Sequence, residues 1–318
     1  MDLAEICHVD KELLDQKING FLEKDNDLST SYKEQLHNLI FSSGKRIRPI
    51  FTVLGSYFGE QKKDEVYTLA AIFELIHTAS LIHDDIIDKA DIRRGKKTLH
   101  VENGVYNSLI LGNYLVALSS EYISSYQFED MYYESFSLTD LCESEINQQS
   151  LLFNFDITFD EYINKTRNKT ALLITASLLG GAKLTNASEK TLKILYEYGI
   201  NLGISFQIID DILDFTQDRM HLGKPNGADL MNGNITLPVI FALKDKKIKK
   251  HLLKLQKNAS IEEYNHCIQY IINSNSIKKS KNFSKRYIKK AKKAIRKLDH
   301  EKKYILVNIL DELEKRTY

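Results

Sequence analysis

The chain has 318 residues, 43% of them hydrophobic, enough to bury a substantial core. Lysine plus arginine (44) and aspartate plus glutamate (43) nearly cancel, so nothing in the net charge points to nucleic acid. Cys7, Cys142 and Cys267 are too few and too scattered for a disulfide framework or a zinc site, and they suit core packing in a reducing compartment.

The opening Met1-Asp2-Leu3-Ala4-Glu5 lacks the basic flank and apolar run of a signal peptide. The longest apolar stretch, 171–182, falls short of the roughly 20 residues a spanning helix needs, so a cytoplasmic protein is expected, with at most peripheral membrane contact. Only three prolines and 14 glycines punctuate the chain, and apolar residues recur at three- and four-residue spacing almost throughout. That spacing predicts an all-α fold, taken as one domain over 1–318.

Helices are expected at 11–23 and 32–41. The next begins after Gly44-Lys45-Arg46-Ile47-Arg48-Pro49, with Pro49 in its first turn, where a missing N–H costs nothing. A long apolar helix over 66–88 leads into a polar loop, 89–104, that carries Arg93-Arg94-Gly95. Helices follow at 106–124, 132–153, 159–179 and 189–215. A loop over 216–234, with Gly223, Gly227, Gly233 and Pro225, precedes helices at 236–257, 261–272, 277–298 and 303–313. Between 278 and 303 basic residues far outnumber acidic ones; the expected reading is a solvated helix face, with an anionic membrane surface as the alternative.

Two stretches on this scaffold share a pattern. His83-Asp84-Asp85-Ile86-Ile87-Asp88 closes the 66–88 helix, and Asp210-Asp211-Ile212-Leu213-Asp214 closes the 189–215 helix. In each, the first and last aspartates are four apart and project from one face. Three negative charges at a helix C-terminus oppose the dipole. A hard divalent cation relieves that opposition, and Mg²⁺ takes carboxylate oxygens while sharing its other positions with water and substrate phosphates. One such triplet is equally what a solvated helix end looks like; two with the same internal spacing, each beside apolar residues, point to a diphosphate clamp.

A second phosphorylated substrate needs cationic side chains. Lys45 and Arg48 stand at a helix start, Arg93 and Arg94 follow the first cluster, and Lys169-Thr170, Gln207 and Lys224 are set among apolar or glycine-rich neighbours. His77 lies two turns before Asp84 on the same face, where a packed core histidine is the bland reading. Arg46 and most lysines are read as solvated.

Together, Gly44-Lys45-Arg46-Ile47-Arg48-Pro49, the 74–88 stretch, Arg93-Arg94-Gly95, Lys169-Thr170-Ala171, the 206–215 stretch and Leu222-Gly223-Lys224-Pro225 resemble the trans-prenyl diphosphate synthases. The likeness covers about residues 35–245. Gly112-Asn113 and Asn234-Ile235-Thr236-Leu237-Pro238-Val239 are most similar to the large catalytic subunits of the heptaprenyl type. The resemblance implies an isoprenoid-synthase fold, with helices around a deep central cavity, and three Mg²⁺ ions between the clusters. Asp84, Asp88 and Asp210 would be the principal ligands, supported by Asp85, Asp211 and Asp214. Arg93, Lys169, Gln207 and Lys224, with Thr170, would bind an allylic diphosphate such as farnesyl diphosphate; Lys45, Arg48, His77 and Arg94 would bind isopentenyl diphosphate.

The implied activity is a prenyltransferase making a long-chain product, about heptaprenyl, for a menaquinone-type side chain. A homodimer or a heteromer with a small regulatory subunit is implied. The alternatives are a synthase of geranylgeranyl or farnesyl length and, from another class, a non-catalytic diphosphate-binding subunit. Ala79 and Ser80, five and four residues before Asp84, are small and leave the expected product tunnel open. Phe73, 11 residues before Asp84 and so about 16 Å deeper, is expected at its floor. The sequence departs from the family with Ser43 and Ser144 for frequent glycines, Lys97 for a frequent proline and Asn234 for a frequent lysine; none of these is an expected metal ligand.

Overall fold

The structure is a computed structural model that describes residues 3–24, 28–41, 44–93, 95–125, 138–216, 226–255 and 259–316. It is all-α apart from one small hairpin, as the spacing predicts. Helices α1 (Leu3–Ile6), α2 (Lys11–Lys24), α3 (Thr30–Phe41), α4 (Ile47–Ser56) and α5 (Lys63–Ile87) come first. Strands β1 (Ile92–Arg93) and β2 (Lys96–Lys97) pair antiparallel, with Ile92 opposite Lys97 and Gly95 at φ 77 in the turn. Lys97 thus sits at a ladder position, where its backbone carries the N–H that proline lacks. Next come α6 (Leu99–Ser125), α7 (Leu138–Ser150), α8 (Phe159–Thr166), a π-helical turn (Arg167–Ala171), α9 (Leu172–Leu184) and α10 (Glu189–Thr216). The chain closes with α11 (Ala228–Met231), α12 (Leu237–Ala242), α13 (Lys246–Leu252), α14 (Ile261–Asn273), α15 (Ser276–Ile295) and α16 (Lys303–Lys315).

Four boundaries differ from expectation, each for a local reason. The 89–104 loop contains the hairpin and the first turn of α6, whose axis breaks at Gly104 (φ 79, ψ 158), a conformation open mainly to glycine. The single helix expected over 236–257 is two, because Asp245 turns out of the helix and its carboxylate accepts from the Lys247 and Ile248 N–H groups to start α13. The helix expected over 159–179 carries the π turn in its middle. The expected 216–234 loop holds α11.

The chain divides into two compact units. The first comprises Met1–Glu134, Ala176–Tyr196 and His300–Ile305, and α5 is its central helix, packed by α2, α3, α4 and α6. Contrary to the expectation that no stretch is long enough, α5 is long and apolar enough to cross a bilayer by length and composition. Its most apolar window is 72% buried and it ends in three aspartates, so it is a core helix. α4 meets residues of α9 backbone to backbone: a Cβ on Gly55 would fall 1.9 Å from the Leu178 carbonyl oxygen, and one on Gly181 1.8 Å from that of Thr52. Arg46, expected to be solvated, is instead structural. It adopts φ 44, ion-pairs with Asp15 of α2 and stacks 4.9 Å over the Phe41 ring.

The second unit comprises Ser135–Thr175, Glu197–Asp299 and Leu306–Tyr318. Ile204, Ile208, Ile212 and Phe215 of α10 form its core with Tyr162, Leu230, Leu237, Val239, Ile268 and Ile271. Cys7 and Cys267 are buried, their thiols pushed up to about 12 and about 11 by burial, whereas Cys142 is exposed rather than packed.

Candidate active site

The first aspartate triplet lies in the first unit, at the end of α5. The helix is closed by a Schellman arrangement: the Ala90 N–H donates to the Asp85 carbonyl at 3.0 Å and the Lys89 N–H to that of Ile86 at 3.3 Å, with Lys89 at φ 52. Most of α5 from Val66 to Ile82 is buried. Its accessible positions include a stripe at helical spacing: His77, Ser80 and Leu81, Asp84, then Asp88. Asp85, about 100° around the helix from Asp84, is buried instead, and its Oδ1 accepts from Arg93 Nε at 2.7 Å. The hairpin therefore returns Arg93 to the middle aspartate.

Arg48, in the first turn of α4, brings Nη1 to 3.1 Å from His77 Nε2. A guanidinium only donates, so that ring nitrogen accepts and the imidazole is neutral with its proton on Nδ1. Lys45 is exposed just before this helix. His83 is hydrogen-bonded to the Leu109 backbone and the Asn113 side chain, and burial holds it below its ordinary value. Gly112 makes room for it, since a Cβ there would fall 2.3 Å from His83 Nε2. This gives the Gly112-Asn113 pair a physical reason. Of the length-determining candidates, Phe73 is buried with its ring against the bare backbone of Gly180, and Ser80 keeps some exposure while donating to the His77 carbonyl at 2.8 Å. Ala79, expected to border open space, is wholly buried.

The second triplet lies in the second unit and repeats the logic. Gln207, Asp210 and Asp214 form an accessible stripe on α10, and the middle residue, Asp211, is buried. Tyr162 OH donates to Asp211 Oδ2 at 2.6 Å and Gln207 Nε2 to Oδ1 at 2.9 Å, while Thr170 Oγ1 donates to Gln207 Oε1 at 2.7 Å. The chain Thr170–Gln207–Asp211–Tyr162 fixes the amide orientation of Gln207. Lys169 Nζ lies 2.6 Å from Glu145 Oε1 on α7. Lys169 and Thr170 sit in the π turn, a feature that often marks functional sites. Gly203 lets that turn rest on α10: a Cβ there would fall 2.5 Å from Ala171 Cα.

Tyr162, Glu145, Lys165 and Asp229 were not singled out in the sequence. Tyr162 reads as one more aromatic in an apolar period, and Asp229 as a loop residue. Only the fold brings them to the cluster. Tyr162→Phe is expected to lower unfolding stability by about 1–3 kcal/mol, read by urea denaturation without metal, because a buried carboxylate loses one of its two donors. An unchanged midpoint would remove Tyr162 from this network.

Arg94 and Lys224 lie outside the described residues, as does Ser43. Ser144 is buried, and its Oγ has no hydrogen-bond partner among the described residues, which suits a position where glycine is frequent.

The carboxylates fit a divalent cation. Burial, then Asp229, push Asp214 up to about 8; burial, then Asp229, push Asp211 up to about 6 against Tyr162, Gln207 and Lys165. Without a cation the cluster resists full ionisation, and a metal ion would relieve that cost. Among the described residues no three His, Cys, Asp or Glu side chains are gathered as a closed cage. Mg²⁺ rarely uses one: it takes one or two carboxylates and completes its shell with water and phosphate.

Fold and residues thus define an all-α protein with two acidic, phosphate-directed helix ends. The polyprenyl synthetase family model matches residues 29–271, and the chain belongs to that family. It is 39% identical over 255 residues to heptaprenyl diphosphate synthase component 2 of Geobacillus stearothermophilus, covering 80% of each chain. It is 36% identical to chloroplastic solanesyl diphosphate synthase 1 of Arabidopsis thaliana over 305 residues, 93% of this chain and 73% of that one. The crystal structure of heptaprenyl diphosphate synthase from Staphylococcus aureus superposes with a TM-score of 0.91 at 34% identity, covering 100% of this chain and 99% of that one. The fold is therefore the isoprenoid-synthase fold, and the chain is a prenyltransferase of the trans-prenyl diphosphate synthase family, whose members act on prenyl diphosphates with a divalent metal.

Proposed function

We propose that this chain is the catalytic subunit of a Mg²⁺-dependent trans-polyprenyl diphosphate synthase. It elongates an allylic diphosphate, farnesyl diphosphate as starter, with isopentenyl diphosphate to about heptaprenyl length, for a quinone side chain. The carrying observation is the shared design of the two triplets. In each, the outer aspartates lie on an accessible stripe while the middle one is buried and held, Asp85 by Arg93 and Asp211 by Tyr162 and Gln207. That leaves the outer aspartates as the more accessible carboxylates of each triplet.

In this reading Asp84, Asp88, Asp210 and Asp214 would hold the Mg²⁺ ions, three of them, that engage the diphosphate of the allylic substrate. Bound Mg²⁺ would supply Lewis-acid stabilisation of the charge that builds on the leaving diphosphate. Arg93, Lys169, Gln207 and Lys224, with Thr170, hold that diphosphate, and Asp85 and Asp211 brace Arg93 and Gln207. Lys45, Arg48 and Arg94 hold isopentenyl diphosphate, with His77 orienting the Arg48 guanidinium. The allylic carbon–oxygen bond breaks, the isopentenyl double bond attacks the cation, and a proton leaves to the departing diphosphate. Apolar walls exclude the water that would otherwise capture the cation.

The heptaprenyl relative and the heptaprenyl structure support the chain length. Phe73→Ala is expected to shift the product distribution by one or more isoprene units, read by mass spectrometry of the dephosphorylated products. The same distribution in both enzymes would place the floor elsewhere. The relative's designation as component 2 supports a heteromer. α6 offers a face for association, since Val101, Val105, Tyr106, Leu109 and Ile110 are exposed along it. We place the enzyme in the cytoplasm.

The test is incubation of the purified chain, alone and with a candidate small subunit, with farnesyl diphosphate, labelled isopentenyl diphosphate and Mg²⁺. Products of about heptaprenyl length are expected, and chelation with EDTA should abolish them. Products no longer than geranylgeranyl in both arms would overturn the chain length.

A further inference from the structure

The C-terminal part of the second unit carries a surface that the chemistry does not use. α15 buries Ser276, Ser280, Ser284, Tyr287, Ile288, Ala291, Ala294 and Ile295. Over 276–297 the exposed positions are Lys278, Lys279, Asn282, Arg286, Lys289, Lys290, Lys293, Arg296 and Lys297: all basic except Asn282. The same stretch contains no aspartate or glutamate. Among the described residues, Asp311 and Glu314 of α16 take Lys292 and Asp160 lies near Tyr287, both at the edges of this face.

A face that needs only to be wet does not look like this. Surfaces of ordinary solvated helices mix signs, because opposite charges at i,i+4 support a helix and like charges there oppose it. Here Lys279, Arg286, Lys290, Lys293 and Lys297 follow one line at helical spacing, roughly 27 Å long at about 1.5 Å per residue. The neighbours on that line repel one another, and the protein as a whole is nearly neutral, at +1. The positive charge is therefore concentrated on one face, with the compensating acids elsewhere in the chain.

We propose that the exposed face of α15 docks the protein on an anionic lipid surface. The charge spacing suits a plane of headgroups: a long, straight, single-sign line with no aromatic residue exposed along it for base stacking. No apolar residue is exposed there either, so the contact is peripheral and electrostatic, without insertion. The benefit rests on the long-chain reading, since an apolar polyprenyl product has little reason to enter water and the reaction that consumes it would draw on a membrane. The docking itself rests on the charge pattern alone and is testable without turnover.

The experiment is co-sedimentation of the full chain with vesicles of phosphatidylcholine, with and without phosphatidylglycerol. Each basic residue at an anionic surface strengthens binding by roughly fivefold, so replacing four should weaken it by at least about a hundredfold. Wild type should bind the phosphatidylglycerol vesicles, release them at 0.5 M salt and ignore pure phosphatidylcholine. The quadruple variant Lys279→Gln, Arg286→Gln, Lys290→Gln, Lys293→Gln should lose binding while keeping its prenyltransferase rate in detergent, which also shows that it is folded. Should that variant fail to fold, titration of wild type against phosphatidylglycerol fraction decides: affinity must climb steeply with anionic content. Equal binding to both vesicle types, undiminished binding by a folded quadruple variant, or preferential retention by duplex nucleic acid at matched charge would overturn the proposal. Vesicle binding with products of short chain length would leave the docking in place and refute only the long-chain reading.

Discussion

Asp84→Ala is expected to lower kcat by on the order of 10³-fold or more with the fold intact, and Asp210→Ala to do the same. The outer aspartates lie on accessible stripes of helices whose buried faces supply the packing, so truncating them removes charge without opening a core. Lewis-acid stabilisation of a leaving diphosphate is worth several kcal/mol, and about 4 kcal/mol corresponds to 10³ in rate. The melting temperature in EDTA should stay within a few degrees of wild type, or rise, because a carboxylate opposing a helix dipole has been removed. The decisive measurement pairs single-turnover rates with calorimetric titration of Mg²⁺ and inorganic diphosphate. If either variant turned over at a tenth of the wild-type rate or better, that cluster would not be holding the metal. Asp85→Ala should behave differently: it strands Arg93 and should cost stability as well as rate.

Gly203→Val is expected to lower stability by about 3 kcal/mol and to abolish turnover at the same time. The added Cβ would fall 2.5 Å from Ala171 Cα and 2.7 Å from its Cβ, a contact with backbone that no rotamer change relieves. Overpacking of this kind costs roughly 1–3 kcal/mol when the neighbour can yield, and here the neighbour is the end of the π turn. Pushing that turn away from α10 would break the 2.7 Å Thr170–Gln207 hydrogen bond and carry Lys169 with it. In a chain of 318 residues the loss should appear as a fall in melting temperature of roughly 4–5 °C. A variant with wild-type melting and activity would show that α10 and the π turn are not closely packed.

Much of the fold was legible because helices impose a period on the sequence. Asp84 with Asp88, and Asp210 with Asp214, could be paired on one face from spacing alone, as could His77 with Asp84. Pro49 in a first turn was equally local. Longer segments were less secure where one side chain redirects the backbone, as Asp245 does by capping α13 inside an unbroken apolar pattern. The π turn was invisible for a different reason: an extra residue rotates the apolar stripe by about 100°, but the helix after it is apolar and buried all round, so no rotation can be read from its spacing.

The sequence by itself determined which residues carry charge, how far apart they stand along a helix, and that two acidic helix ends recur with one design. Only the tertiary structure decided what each of those residues touches. Asp85 and Asp211 look identical to their neighbours in the sequence, yet the hairpin gives one to Arg93 and the fold gives the other to Tyr162, 49 residues away. Arg46 looked solvated until Asp15 and Phe41 closed around it. Helical periodicity is a property of a few consecutive residues, whereas a hydrogen-bond partner is chosen by the packing of segments far apart in the chain.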